Sequence, residues 1–183
     1  MLHRVFVDSD VLAARTPYEW LALLRRQTGS FQLHSSAGVV ADSARLWSRE
    51  HPARRTAAGR RLALVAATLD EVIGAIDPDI DLDEAVEPGL VAAEVAACAA
   101  HVLVSTRRQP ITDDAVLPFE VWTPDEFLCL VDDSARTDVR EVVSRRHGGI
   151  RRTSEDGRLA EALAGAGCPA FADRVSSHLQ ALG

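Results

Sequence analysis

Arg4-Val5-Phe6-Val7-Asp8-Ser9-Asp10-Val11 opens the chain with an alternating, β-branched run that carries two carboxylates near its end. Such a run predicts a buried first strand over residues 4–11. Working outward, Thr16 and Pro17 open a helix whose apolar positions are Trp20, Leu21, Leu23 and Leu24. Residues 31–34 read as a short second strand. Ser35-Ser36 can cap a helix carrying Val39, Val40, Ser43, Leu46 and Trp47. A further helix is expected over residues 54–76, with Leu62, Val65, Leu69, Val72 and Ile76 near helical spacing. Residues 77–87 form an acidic connection with room for a short strand. Pro88 starts an alanine-rich helix that feeds the apolar strand 102–104. Residues 119–122 read as the last strand, and Thr123 as the cap of a helix beginning Pro124-Asp125-Glu126. Strands alternating with helices predict an α/β domain with a mostly parallel central sheet flanked by helices. After Asp133 the pattern is helical only, broken at Gly148-Gly149 and Gly165-Ala166-Gly167. The expected division is an α/β body over residues 1–133 and a C-terminal helical extension over 134–183.

With 183 residues, 47% of them apolar and 26% charged, the chain is long enough to bury a core and matches no disordered or repetitive class. No apolar run approaches the ~20 residues needed to span a bilayer. The N-terminus enters a strand-like segment rather than a signal peptide. A soluble, cytoplasmic protein without membrane attachment is expected. Cys98, Cys129 and Cys168 lack the paired spacing of a zinc site and sit among apolar neighbours, as reduced core cysteines do. All 20 basic residues are arginine, so any mechanism that needs a lysine is excluded. The net charge is −7, yet the arginines cluster as Arg25-Arg26, Arg54-Arg55, Arg60-Arg61, Arg107-Arg108, Arg145-Arg146 and Arg151-Arg152. Guanidinium forks suit phosphate, so a local basic face could bind nucleic acid. The plainer alternative is solvated arginine on helix surfaces.

The sharpest local feature is Asp8-Ser9-Asp10 at the carboxyl end of the first strand, the edge where open α/β sheets bind ligands. Turn chemistry is the alternative. The opening is similar to that of haloacid-dehalogenase-like phosphatases, whose mechanism uses a downstream basic residue, usually lysine. This chain has no lysine, and Val11-Leu12-Ala13 replaces the usual Gly-Thr continuation.

A second resemblance extends over nearly the whole chain. The apolar strand, Asp8, small residue, polar residue and Val-Leu resemble the start of a PIN domain. Ala96-Ala97-Cys98-Ala99-Ala100-His101-Val102-Leu103-Val104-Ser105-Thr106 resembles that family's alanine helix, strand and terminal Thr. Val121-Trp122-Thr123-Pro124-Asp125-Glu126-Phe127-Leu128 and Gly165-Ala166-Gly167-Cys168-Pro169-Ala170-Phe171-Ala172 resemble the last strand and C-terminal tail of one bacterial subgroup. The resemblance is to VapC-type toxin ribonucleases of toxin–antitoxin systems. It implies a three-layer PIN-like body and a Mg²⁺- or Mn²⁺-dependent endoribonuclease. In such an enzyme, acids hold hard cations that activate water. It also implies an RNA substrate, a small antitoxin partner and a homodimer.

Carried over residue by residue, Asp8 matches the first acid, with Asp10 beside it. Asp42 falls where the family has Glu, on a stripe with Val39 and Leu46, where a carboxylate wants a metal or a partner such as Arg45. The third acid would fall at Pro88 or Gly89, neither of which can ligate through a side chain, leaving Glu87 or Glu94 to compensate. The expected metal set is Asp8, Asp42 and Glu94, and the expected catalytic set adds Asp10 and Glu87. Where the fourth acid belongs, the chain has Arg107-Arg108, and Asp113 and Asp114 come later as loop acids. Arg107 and Arg108, with Arg54 and Arg55, are the candidate nucleic-acid contacts. Arg107 or Arg108 could instead pair with Asp8 and Asp42 in the metal's place. Two readings follow: an endoribonuclease, or a PIN fold without chemistry that binds nucleic acid or protein.

Overall fold

The structure, a computed structural model, describes residues 3–75, 91–107, 117–150 and 158–182. Strands β1 (His3–Val7), β2 (Phe31–Ser36), β3 (Glu71–Ile73), β4 (Val102–Val104) and β5 (Glu120–Trp122) form one sheet in the order β3-β2-β1-β4-β5. Every neighbouring pair is parallel, and Val5 of β1 lies opposite both Leu33 and Val102. Parallel neighbours need long crossovers, usually helical. Among the described residues these include α1 (Ser9–Ala13), α2 (Arg15–Thr28), α3 (Ala37–Glu50), α4 (Ala58–Thr68) and α5 (Val91–Ala97). The predicted α/β architecture is present, and the sheet is parallel throughout rather than mostly so.

Residues 1–15 and 30–122 make one compact unit, and residues 16–29 and 123–183 a second. In the first, β1 occupies the centre, and Val5, Phe6, Val7, Leu33, Leu103 and Val104 are fully buried. The near-continuous apolar runs of β1 and β4 reflect a sheet covered on both faces. From β1 the chain steps outward through β2 and β3, then returns to the other side of β1 for β4 and β5. The order reverses beside β1, which puts a switch-point crevice at the carboxyl ends of β1 and β4.

Two elements differ from the sequence reading. The first strand ends at Val7, not at Val11. The Asp8 carboxylate accepts a bond from the Ser9 amide at 2.7 Å, and the Leu12 amide reaches the Asp8 carbonyl at 3.0 Å, so the chain winds into α1. The helix expected over 54–76 ends at Thr68, after a 3-10 segment (Pro52–Ala57) in which Arg54 is non-helical. Asp70 then pairs with Leu33 in both directions, its amide to the Leu33 carbonyl and its carboxylate to the Leu33 amide, each at 2.8 Å. That clamp sets Glu71–Ile73 beside β2 as an unpredicted strand. The acidic connection 77–87 and the start of the helix expected at Pro88 lie outside the described residues.

The second unit is helical: most of α2 with α6 (Pro124–Ser134), α7 (Arg136–Ile150), α8 (Arg158–Gly165) and α9 (Pro169–Gln180). Trp20, 1% exposed, meets Phe171 edge-on with ring centroids 5.2 Å apart. Gly29 and Gly167 hold positive φ (58° and 83°) just past α2 and α8, where a side chain would be strained. Cys168 cannot cap α9 with its own side chain. The Asp125 carboxylate does so instead, accepting from the Ala170 and Phe171 amides at 3.1 and 2.8 Å. His178 and Asp132 are both buried and joined at 2.6 Å, with Arg174 on the same carboxylate at 3.2 Å. Cys98 and Cys168 are free and buried, and burial pushes their thiols up to about 11 and about 12. Among the described residues no helix is long and apolar enough to cross a membrane.

Thr123 begins α6 as the predicted cap, and the contact is reciprocal, its hydroxyl accepting from the Glu126 amide while the Glu126 carboxylate accepts from the Thr123 amide at 2.8 Å. Thr123→Ala should lower the stability of this unit by about 1 kcal/mol. A drop in the urea midpoint with an unchanged slope would show it. An unchanged midpoint would mean that Pro124 and packing set the helix start alone.

Candidate functional site

The switch-point crevice is where the predicted acids gather. Asp8 follows the last residue of β1 and is 1% exposed. One carboxylate oxygen, Oδ1, accepts from the Ser9 amide, and the other, Oδ2, accepts from the Ser105 hydroxyl at 2.7 Å. Ser105 stands at the end of β4, so the bond ties the two strand ends together. Asp42, on the second turn of α3, is 8% exposed. It accepts from the Ser9 hydroxyl at 2.7 Å and from two nitrogens of Arg45, the Nε bond measuring 2.9 Å. Ser9 thus stands between the two acids.

Arg107 enters the same place from the loop after β4. Its Nη2 donates to the Ser9 hydroxyl oxygen and lies 3.5 Å from an Asp42 oxygen and 3.9 Å from an Asp8 oxygen. The Arg107 backbone amide bonds the Ser105 hydroxyl at 3.1 Å, which holds the loop against the strand end. The side chain remains 40% exposed, so the guanidinium is anchored on one side and open to solvent on the other.

The other candidates are placed differently. Asp10, on the first turn of α1, does not join Asp42. Its carboxylate accepts from the Val11 amide and from both the amide and the hydroxyl of Thr106. Glu94, half-buried on α5, accepts from the Ser36 hydroxyl at 2.8 Å. The same hydroxyl caps α3 through the Val39 amide, so Glu94 supports a helix start. Arg54 is exposed in the 3-10 segment. Glu87, Arg108 and the Arg55 side chain lie outside the described residues.

The charges diverge between the two central acids. Burial raises the Asp8 carboxyl above its ordinary range; the Ser105 hydroxyl and Arg107 oppose this, while the Asp10 carboxylate adds to it. Burial also acts on Asp42 and is the largest single influence there. The Ser9 hydroxyl, Arg45 and Arg107 together outweigh it and hold that carboxyl low.

A Mg²⁺ or Mn²⁺ ion would ask for several oxygen donors around one point. Asp8 and Asp42 offer two, but a guanidinium already lies between them. Among the described residues no three His, Cys, Asp or Glu side chains stand close enough to hold a metal ion. The described donor set therefore does not fit the ion that the sequence reading expects. What the arrangement does is neutralise two inward-facing acids with Arg45 and Arg107 and hold one guanidinium at the sheet edge. Ser9, Ser105 and Thr106, which organise all of this, were not singled out as site residues by the sequence reading. Their signal was faint: hydroxyl residues directly after neighbouring strands. Compared with protein-family models, curated proteins and solved structures, the chain matches none.

The raised Asp8 carboxyl gives a signed pH dependence. The folded state holds this proton more tightly than the unfolded chain, whose carboxyl titrates near ~3.9. Ionised Asp8 therefore costs stability as pH rises from the unfolded value through the higher folded one. Asp8→Asn removes that cost. Its stability relative to wild type should rise as pH climbs above about 4, where the unfolded carboxyl ionises, read by chemical denaturation in the presence of chelator. A relative stability that falls over the same range would mean that Asp8 is held more strongly as the anion than as the acid.

Proposed function

We propose that this chain is a PIN-like protein that works as a nucleic-acid-binding module, with its acidic edge closed by its own arginine. The observation that carries the reading is Arg107, held by Ser9 between Asp8 and Asp42 and still 40% exposed. An arginine anchored by one nitrogen keeps its remaining donors for a phosphate oxygen, and its orientation is fixed before the ligand arrives. Arg45 and Arg107 also offset much of the negative charge that would otherwise repel a phosphate. The resemblance to VapC-type ribonucleases makes single-stranded RNA the first ligand to try. In this reading Asp8 and Asp42 position Arg107 and bind nothing themselves.

A second reading, a toxin-type endoribonuclease with a small antitoxin and a homodimeric state, keeps one observation in its favour. Asp8 and Asp42 meet at one hydroxyl, and their environments push their protonation in opposite directions. That divergence is a recurring mark of acid–base sites. It would need a further ligand, and Glu87 is the acid from the expected set that lies outside the described residues.

One set of measurements separates the two. Fluorescence anisotropy with a labelled RNA oligomer should show salt-dependent binding. Arg107→Ala should weaken it across sequences and reduce the salt slope by about 1. Mn²⁺ should neither induce cleavage nor raise the melting temperature. At 100-fold excess over its Kd a bound ion would add about 2.7 kcal/mol, easily seen as a melting shift. RNA binding unchanged in Arg107→Ala would overturn the binding reading. Mn²⁺-dependent cleavage that disappears in Asp8→Asn would establish the nuclease in its place.

A further inference from the structure

The second unit carries an arginine cluster that the first unit's site does not use. Leu23, Arg26 and Gln27 of α2 and Val142, Arg145 and Arg146 of α7 line a cleft of about 330 Å³, within the size range of small-ligand sites. None of these six residues is acidic. Arg26 is exposed in the last turn of α2 and has no partner among the described residues. Arg145, also exposed, donates to the Gln27 side-chain oxygen. Two carboxylates meet the cleft only through Gln27: Asp138 and Glu141 both accept from its amide nitrogen, at 3.2 and 3.0 Å, and so orient its oxygen toward Arg145.

Arg146 is the most constrained of the three. Its guanidinium lies over the buried Trp20 ring, 5.2 Å from the centroid, and Nη2 reaches Glu19 at 3.2 Å. Its Nη1 is buried and has no acceptor among the described residues. A buried guanidinium donor without an acceptor is unfavourable until an oxygen reaches it. Glu19 therefore does not saturate Arg146. The cleft holds three guanidinium groups, one of them preset by stacking, beside two aliphatic side chains.

We propose that this cleft binds a phosphate ester of nucleotide size, with Arg26, Arg145 and Arg146 on the phosphate and Leu23 and Val142 against the apolar part of the ligand. Arginine forks match phosphate oxygens, and the cleft is too large for a bare phosphate alone. The ligand can be a free mononucleotide or one nucleotide within a single strand, which share this chemistry. The inference does not rest on the role given to Arg107.

The test uses the full chain with adenosine 5′-monophosphate, adenosine and a five-nucleotide single-stranded RNA as probes, followed by calorimetry and by tryptophan fluorescence, since Trp20 lies under Arg146. The monophosphate should bind and adenosine should not. Arg26→Ala/Arg145→Ala, which changes two exposed side chains, should weaken monophosphate binding by about tenfold or more. Arg107→Ala should leave it unchanged. In the Arg107→Ala background, which removes the RNA contact proposed for the first unit, a pentamer that binds at least tenfold tighter than the monophosphate would identify a strand as the ligand, and equal affinity a free nucleotide. If neither phosphate-bearing probe binds, if adenosine binds as well as the monophosphate, or if the double variant binds normally, the cleft is not a phosphate site. Failure of the Arg107 reading would appear separately, as RNA binding indifferent to Arg107→Ala but reduced in the double variant.

Discussion

A carboxylate that is 1% exposed at the end of the central strand constrains everything around it. A buried charge must be hydrogen-bonded and compensated or it shifts toward neutrality. Asp8 does both in part. The Ser9 amide, the Ser105 hydroxyl and the nearby Arg107 favour its anion, while burial still lifts its carboxyl above the ordinary range. Meeting that demand shapes the edge: β1 stops at Val7, α1 starts just after Asp8, and a serine directly follows β4. The loop after β4 then turns inward to supply a cation.

The same demand explains why, among the described residues, this edge suits arginine better than a metal. A divalent ion needs several converging acids, but here Asp10 is held by Thr106 and Glu94 by Ser36. Both are engaged in fixing local backbone, Asp10 at the loop after β4 and Glu94 at the start of α3. Asp42 already has Arg45. The hydroxyl residues at the strand ends distribute the acids among separate tasks instead of gathering them. In the proposed binding role this distribution is an advantage, because it leaves Arg107 as a fixed and partly exposed positive group.

Much of the architecture could be read from periodicity. The apolar run of β4, the Ser36 cap of α3 and the Thr123 cap of α6 are local signals and lie where they were expected. The misreadings occurred where non-local bonds overrode local pattern. Val72 looked helical because it continues the spacing of Leu62, Val65 and Leu69. Asp70 clamped onto Leu33 makes it a strand residue instead. Val11 looked like strand because it continues an alternation, but the capping of α1 by Asp8 ends that alternation. The grouping of α2 with the C-terminal helices likewise depends on packing such as Trp20 against Phe171, residues far apart in the chain.

For the site, the residue types alone determined that lysine chemistry is excluded, that carboxylates stand at the end of the first strand and that two arginines follow the Val102–Val104 strand. Those are properties of single positions and need no partner. Which carboxylates meet was decided by tertiary structure. Asp8 and Asp42 come together because β1 and α3 converge on Ser9, while Asp10, only two residues from Asp8, is turned to Thr106 by about half a turn of helix. The placement of Arg107 was decided the same way. Its position in the chain allowed phosphate binding or acid pairing equally, and only the pairing of β4 with β1 brings it within 4 Å of both acids. Coulomb attraction over that distance then fixes a side chain whose sequence neighbours leave it free.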